Sequence, residues 1–325
     1  MYFKAIVFAI IYMLSTQNGY STYKVEWESP TLEAADKDPW KHSLLSQLPT
    51  DFVTHLKEKN RQYFSSNEEV LASLQMINSQ GQVRDELSPN IIGSFVYNPR
   101  LIIGSGEEGT VYIAQHVLTG RYASLKKTSR KGEYEAFKNL ERCYACYSEK
   151  NNYYSSTYHI FRPLVIGLPL ITFTYDQEKL GMIRSYDKIV YKDWKYNISL
   201  VDAFLTEFEY NIKHSAGPYE VDSNAMFLIE EPEKKPCIVF VDLNSEQYNK
   251  NDNDLVTTQF FYVMLRFLKF EMTAETLAYP EPIKQFIKEI FHKDDLFVSF
   301  TKVKEARNKL VENMKNLGYP EIAKI

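Results

Sequence analysis

Helical periodicity is the main pattern between residue 20 and about residue 90. In SLLSQLPTDFVTHLKEKNRQYF, apolar residues recur at three- and four-residue intervals, as on one face of an amphipathic helix. Thr50 and Asp51 provide a helix start directly after Pro49. NEEVLASLQMIN continues the pattern, and the turn residues of GQVRDELSPN end it. We therefore predict a helical N-terminal extension over residues 20–90.

After residue 90 the pattern changes to short β-branched and aromatic runs separated by glycine. The runs IIGSFVYNPRLIIGSG, TVYIAQHV and RYASLKK predict three antiparallel strands, with a hairpin turn at Thr119-Gly120. A helical segment, GEYEAFKNLERCYACYSEK, and further strands follow, and from about Ser199 the chain is mainly helical. This order predicts an α+β fold with two lobes, residues 91–190 and 191–325.

The first nineteen residues have the layout of a signal peptide. Lys4 precedes an apolar run from Ala5 to Leu14, and small and polar residues follow. The alternatives are a buried first helix or an uncleaved anchor. No later window reaches the roughly 18 apolar residues of a membrane span, so we expect no transmembrane segment after cleavage of residues 1–19. The predicted location is the secretory pathway, in a lumen or organelle, or outside the cell.

Composition narrows the classes of partner. With 44% apolar and 14% aromatic residues, the 325-residue chain is unlike a disordered protein. The 38 basic and 42 acidic residues give a net charge of −4, which disfavours nucleic acid and anionic membranes as partners. The odd number of cysteines, Cys143, Cys146 and Cys237, leaves at least one thiol outside any intrachain disulfide. Packed thiols or one local bridge fit better than a metal site.

A glycine-rich turn carries the main functional pattern. The sequence GSGEEGTV matches GxGxxGxV, at Gly104, Gly106, Gly109 and Val111. It lies at a predicted strand-to-strand turn, whereas a dinucleotide-binding unit has such glycines before a helix. Lys126, three residues after Ala123, lies fifteen residues beyond the end of the motif. Glycines let backbone N–H groups approach phosphates and a lysine adds positive charge, so the pattern predicts nucleotide binding.

This region resembles the N-lobe of the eukaryotic protein-kinase family. The resemblance implies a bilobal kinase-like fold, with a β-rich N-lobe containing helix αC and a mainly helical C-lobe. It implies ATP and Mg²⁺ as cofactors, bound through the motif glycines, Ala123 and Lys126. Glu141, fifteen residues after the lysine, falls where the family has its ion-pairing glutamate, although Glu133 and Glu135 compete for that role.

Downstream, the expected catalytic motifs are incomplete. The family's HRDxxxxN loop supplies a catalytic aspartate and a metal-binding asparagine. Here Asp222 can take the position of the base and Asn224 that of the metal ligand, but no gapless placement keeps both. Asp242, in the sequence DLN, takes the place of the metal-binding aspartate of DFG. Two glutamates in the glycine motif, Glu107 and Glu108, would repel bound phosphates.

The combination of a leader, a helical extension and a degraded catalytic loop resembles the secreted pseudokinases of parasites. The apicomplexan rhoptry kinase and pseudokinase family is one comparison. The resemblance implies a binding scaffold or an allosteric regulator, with a kinase or host protein as partner and little or no phosphoryl transfer. The alternative is an atypical active kinase that uses ATP through Lys126, Asp222 and Asp242. A structural protein without a ligand is a third hypothesis.

Overall fold

The structure of the chain is a computed structural model that divides into two compact units, Met1–Ile166 and Gly167–Ile325. It describes residues 23–29, 48–106, 109–151, 155–166, 168–169, 172–176, 181–185, 194–214, 216–218, 226–229, 236–244, 280–290 and 300–318. The predicted leader, residues 1–19, lies outside these ranges. Within them, no helix combines the length and the apolar character needed to cross a membrane.

The first unit contains a curled seven-stranded antiparallel sheet. Its strands are β1 (Lys24–Glu28), β2 (Asn90–Ile92), β3 (Phe95–Gly106), β4 (Gly109–His116), β5 (Tyr122–Thr128), β6 (Ala145–Lys150) and β7 (Ser156–Pro163). Their order across the sheet is β1-β6-β7-β5-β4-β3-β2. The expected hairpin between β4 and β5 is present, and Gly120 adopts a φ of 67° in its turn, a conformation that glycine favours.

Three helices of the first unit are described: α1 (Thr50–Lys59), α2 (Asn67–Leu74) and α3 (Lys131–Asn139). A 3₁₀ turn, Asp85–Leu87, precedes β2. Helix α1 begins directly after Pro49, as the sequence predicts. The Ser66 hydroxyl caps α2 by accepting a hydrogen bond from the backbone N–H of Glu69, at 3.3 Å. These local signals explain where both helices start.

The two faces of the sheet have different cores. One, which we call the aromatic face, is a cluster of Ile92, Phe95, Tyr97, Ala114, Ala123, Leu125, Tyr144, Ala145, Tyr147 and Phe161. The other, the helix face, packs against α1 and α2 through Val96, Leu101, Ile113, Tyr122 and Leu164. Successive strand residues point to opposite faces, so Leu125 and Lys127 share the aromatic face, whereas Ser124 and Lys126 lie on the helix face.

In the second unit the described elements are short strands and three helices. The strands are β8 (Leu168–Pro169), β9 (Thr172–Asp176), β10 (Gly181–Ser185), β11 (Gly217–Pro218), β12 (Met226–Ile229), β13 (Cys237–Phe240) and β14 (Leu243–Asn244). The helices are α4 (Trp194–Lys213), α5 (Glu281–Ile290) and α6 (Phe300–Asn316). Helix α4 packs on β13, where the rings of Phe204 and Phe240 lie 5.9 Å apart. Lys304 of α6 is paired with Glu209 of α4 at 2.7 Å.

The predicted bilobal protein-kinase-like fold is wrong. The first unit is one seven-stranded sheet with few helices, and its strand β1 comes from the segment predicted to be helical. The error has a physical reason. In the β3-β4-β5 meander Gly106 lies opposite Gly109, and Val111 lies opposite Lys126. The spacing between the glycines and the lysine therefore follows from the register of neighbouring strands. Any antiparallel meander with turns of these lengths has the same spacing.

Candidate functional site

A buried ion pair on the helix face joins the sheet to α3. The Nζ atom of Lys126 lies 2.7 Å from Oε1 of Glu133, and their side chains are only 9% and 1% exposed. Glu133 lies in the first turn of α3, near the positive end of the helix dipole. Each charge has been removed from water and is compensated by the other. Removing one partner of such a pair typically costs about 3–5 kcal/mol.

The structure pairs Lys126 with Glu133 and not with Glu141. Helix α3 ends at Asn139, and Glu141 lies beyond it, exposed and with a left-handed φ of 54°. Glycine normally marks a helix end with this backbone conformation. Because a glutamate occupies the position here, the sequence contains no stop signal, and the helix is predicted to continue too far. Glu133, one of the two competing residues, takes the ion-pairing role.

The three motif glycines end β3 and begin β4. Gly104 pairs with Val111, and Gly106 pairs with Gly109. Gly109 has a φ of 151°, and a Cβ atom at this position would lie 2.0 Å from the carbonyl oxygen of Lys127. At Gly106 nothing lies within 4 Å of an added Cβ. Only Gly109 is therefore required by a close backbone contact, whereas Gly106 leaves open space at the hairpin.

Ala123 is not positioned for the predicted cofactor contact. It is fully buried in the aromatic-face cluster, on the side of β5 opposite to Lys126. Ser124 shares the helix face with the lysine, and its hydroxyl lies 3.5 Å from the carbonyl oxygen of Pro163. Alternation along the strand, applied to β5, would have identified Ser124 from the sequence. Val111 lies opposite Lys126 and on the same face, and its predicted contact with a cofactor stays a prediction.

The predicted catalytic and metal-binding residues belong to the second unit. Asp222, Asn224 and the two glutamates of the glycine hairpin lie outside the described residues, so their roles stay predictions. Asp242 follows β13 and is partly buried. Within the described ranges, no group of three or more His, Cys, Asp or Glu residues could hold a metal ion.

A second polar cluster lies on the aromatic face, and no sequence motif predicts it. Lys127 donates a hydrogen bond to the hydroxyl of Tyr97. Its Nζ atom lies 4.7 Å from the ring centre of Tyr97 and 5.4 Å from that of Tyr112. Burial lowers the pKa of Lys127 below its usual value. The rings replace part of the water that the ammonium group loses, through cation–π attraction.

His159 lies opposite Lys127 on β7 and completes this cluster. It is 1% exposed, and its Nε2 atom is 3.3 Å from Oε2 of Glu149. The ring of Tyr23 meets the imidazole edge-on, with centres 5.1 Å apart. Burial, assisted by the positive charge of Lys127, lowers the pKa of His159 to about 4. The imidazole is therefore neutral at physiological pH.

The CxxC segment consists of packed thiols. Cys143 and Cys146 are fully buried and neither forms a disulfide. Burial raises the pKa of Cys143 to about 12 and raises that of Cys146 further. Both thiols therefore stay protonated at neutral pH, which makes them poor nucleophiles and poor metal ligands. Cys237, in the second unit, forms no disulfide either.

Comparison with known proteins assigns no family. No protein-family profile matches the sequence, and no curated protein matches it. Chains of solved structures do match, and one comes from the complex of Neurospora crassa PAN2 (WD40-CS1) with PAN3 (pseudokinase and C-term). The identity is 10%, the match covers 85% of this chain and 72% of that chain, and the TM-score is 0.39. A likeness at this level supports no conclusion about fold, partner or activity.

Proposed function

We propose that this protein acts by binding a partner protein, as a scaffold or allosteric regulator, with little or no phosphoryl transfer. The main support is the fold of the first unit, a seven-stranded antiparallel sheet that differs from the bilobal kinase fold implied by the motifs. Phosphoryl transfer depends on groups positioned around the phosphate. The ion pair of Lys126 and Glu133, at 2.7 Å with both side chains buried, fastens α3 to β5 and needs no ligand to account for it.

The glycine hairpin gives further support. From Gly104 opposite Val111 to Gly106 opposite Gly109, β3 pairs with β4 without a register shift, up to the last described residues of the hairpin. Gly109 is explained by the nearby carbonyl of Lys127, without any ligand. The pattern that suggested a phosphate site thus has a backbone explanation at one of its three glycines. The open space at Gly106 is where a phosphate-binding role can be tested without disturbing the fold.

The first experiment is a thermal-shift titration of the full chain with ATP, with and without Mg²⁺ or Mn²⁺. A ligand present at about one hundred times its Kd would add about 2.7 kcal/mol of apparent stability. We expect no shift at millimolar ATP. The matched variant is Gly106→Ala, which the backbone tolerates but which would obstruct a phosphate. A shift in the wild-type chain that Gly106→Ala removes would show a nucleotide site.

Phosphate transfer is measured separately, by incorporation from γ-labelled ATP into the chain itself. We expect none above background. Incorporation approaching one phosphate per chain, lost in Asp222→Asn, would overturn the proposal in favour of an atypical kinase. Incorporation that survives Asp222→Asn would point to a contaminating kinase, and repeating the assay with Gly106→Ala would then decide whether this chain takes part.

We also propose entry into the secretory pathway, on the basis of the leader at residues 1–19. Expression of the full chain in a secreting eukaryotic cell, followed by N-terminal sequencing, tests this. A mature N-terminus between Thr16 and Tyr20 is expected. A cell-retained chain that begins at Met1 would contradict it.

A further inference from the structure

The edge strand β1 is held in place largely by side chains of other elements. It pairs with β6, and four pairs are formed, from Lys24 opposite Ser148 to Glu28 opposite Ala145. The register shifts between Val25 and the following pair, so the ladder is interrupted. Val25 is 49% exposed. A short, irregular ladder at a sheet edge contributes few backbone hydrogen bonds, so the side-chain contacts decide how firmly β1 is bound.

Two carboxylates of β1 meet hydroxyl groups that belong to the rest of the unit. Glu26 accepts a hydrogen bond of 2.7 Å from the hydroxyl of Ser148, and this bond is the main reason that its pKa is lowered. Glu28 accepts bonds of 2.9 Å from the Ser94 hydroxyl and 3.4 Å from the Tyr147 hydroxyl. Hydrogen bonds to a charged acceptor are the stronger kind. The edge therefore offers donors for carboxylates two residues apart.

One of these donors, the Tyr147 hydroxyl, is held in place by residues outside β1. A Cβ atom at Gly93, which has a φ of 57°, would lie 2.1 Å from the hydroxyl oxygen of Tyr147. The missing side chain creates the space in which this hydroxyl lies, next to Ser94. Tyr147 itself is buried in the aromatic-face cluster. Because packing holds this donor in place, binding a carboxylate here costs little ordering.

Strand β1 also contacts the helix that carries Glu133. The hydroxyl of Tyr134 in α3 donates to the backbone carbonyl of Glu26, at 3.4 Å. The Tyr134 side chain is buried, directly beside Glu133 in the sequence. The N–H of Ser29, just after β1, donates to the carbonyl of Tyr144 at 2.8 Å. Occupancy of this edge is thereby linked to the position of α3.

We infer that the edge of β6 is a strand-binding groove for an extended segment of a partner protein with carboxylates two residues apart, and that β1 is its exchangeable internal occupant. The residues that define this β6 groove are Ser94, Tyr134, Tyr147 and Ser148. Backbone pairing supplies affinity and the hydroxyls supply selectivity, as in other strand-addition complexes. The inference rests on the proposed binding function and names the chemistry of its partner.

The test uses the full chain and a fluorescent peptide, YSTYKVEWES, which is the sequence of residues 20–29. In Glu28→Ala, the internal strand loses the bonds from Ser94 and Tyr147 while the groove stays intact. We expect this variant to bind the peptide about tenfold more tightly than the wild-type chain, as loss of the charge-assisted bonds of Glu28 in β1 predicts. Glu58→Ala, which removes an exposed carboxylate from α1, should bind as the wild-type chain does.

Specificity is tested with a second peptide in which both glutamates are glutamine. Weaker binding of this peptide to Glu28→Ala is expected, and equal binding would overturn the inferred selectivity. If Glu28→Ala does not fold, Glu26→Gln weakens β1 while keeping the contacts of Glu28, and the same comparison applies. Absence of peptide binding to every folded variant would overturn the groove. Dimers of the variant that the peptide dissociates would show that a second copy of this chain occupies the groove. That result would overturn the assignment to another protein.

Hydrogen exchange of α3 tests the link to the helix. In Glu28→Ala, amides of residues 131–139 should exchange faster, and saturating peptide should restore their protection. Unchanged exchange in α3 would overturn the link. None of these measurements involves ATP, so phosphate incorporation would refute the proposed lack of phosphoryl transfer without affecting the groove, and a failed peptide titration would refute the groove alone.

Discussion

Two adjacent lysines of β5 point to opposite faces of the sheet, and the protein stabilises their charges in different ways. On the helix face, Lys126 forms a 2.7 Å ion pair with Glu133. On the aromatic face, Lys127 lies over the rings of Tyr97 and Tyr112. A carboxylate cancels the charge and makes each partner depend on the other. Aromatic rings also attract the ammonium group, but they carry no net charge and so need no charged partner themselves. The helix face should therefore be the more sensitive to single substitutions.

The largest expected effect is that of Glu133→Gln. It removes the carboxylate charge that lies 2.7 Å from the buried ammonium group of Lys126, and we expect a loss of about 3–5 kcal/mol in the free energy of unfolding. Urea denaturation measures this. The matched control is Glu135→Gln, in the same helix, whose partner Lys131 is 3.9 Å away and 56% exposed. Such exposed pairs contribute about 1 kcal/mol or less. Equal losses in the two variants would contradict a structural role for the ion pair.

A double variant sharpens this comparison. Lys126→Met combined with Glu133→Leu removes both charges and leaves apolar side chains of similar size. Replacing a complete buried pair in this way is often neutral or stabilising. We expect the double variant to recover most of the stability that Glu133→Gln loses. A double variant as unstable as the single one would mean that the packing around α3, and not charge, is responsible.

The next largest effect concerns Gly109, which contacts the backbone of Lys127. In Gly109→Ala the new Cβ would meet the Lys127 carbonyl oxygen at 2.0 Å, in a backbone conformation that glycine favours. Strain of this kind costs about 1–3 kcal/mol. Gly106→Ala, with nothing within 4 Å of the added atom, should change stability by at most about 0.5 kcal/mol. Thermal unfolding of the two variants checks the difference, and similar losses would refute the backbone explanation.

A smaller effect is expected for Lys127→Met. The substitution removes a cation–π interaction of about 1 kcal/mol, and the methionine can pack against the same rings. Urea denaturation beside Lys126→Met, which removes the ion pair with the buried Glu133, compares the two faces directly. We expect Lys126→Met to lose several times more stability. A reversed order would show that the aromatic face is the more sensitive side of β5.

Local features of the fold could be predicted from the sequence, and long-range ones could not. The start of α1 after Pro49 and the turn at Gly120 depend on neighbouring residues alone. Strand β1 depends on contacts such as that of Glu28 with Ser94, which are 66 residues apart in the chain. No local pattern encodes such a contact. The overall fold was predicted wrongly for the same reason, because the motif spacing describes only three strands.

The candidate site shows the same limit on a smaller scale. The distance of Lys126 from the glycines follows from the strand register, and its predicted role in binding a cofactor stays a prediction. Its partner was assigned wrongly because Glu141 ends α3 in a conformation that usually requires glycine. The cluster around Lys127 was missed altogether. Its members come from different strands, and each looks like an ordinary strand residue in the sequence.

The effect expected to be smallest at neutral pH concerns His159, which faces Lys127, Glu149 and Tyr23. Its pKa is about 4 in the folded chain, below the ordinary value of 6.5. Between these values the unfolded chain binds a proton that the folded chain does not bind. This group's contribution to stability is therefore complete above about pH 6.5 and falls as the pH is lowered towards 4.

Urea denaturation at pH 7 and pH 5 measures this contribution. Between these two pH values the free energy of unfolding should decrease less for His159→Gln than for the wild-type chain. His55→Gln, at an exposed position of α1, serves as the control and should follow the wild-type chain. If His159→Gln lost as much stability as the wild-type chain over this interval, the buried imidazole would not be the titrating group, and the aromatic face would hold its charges independently of pH.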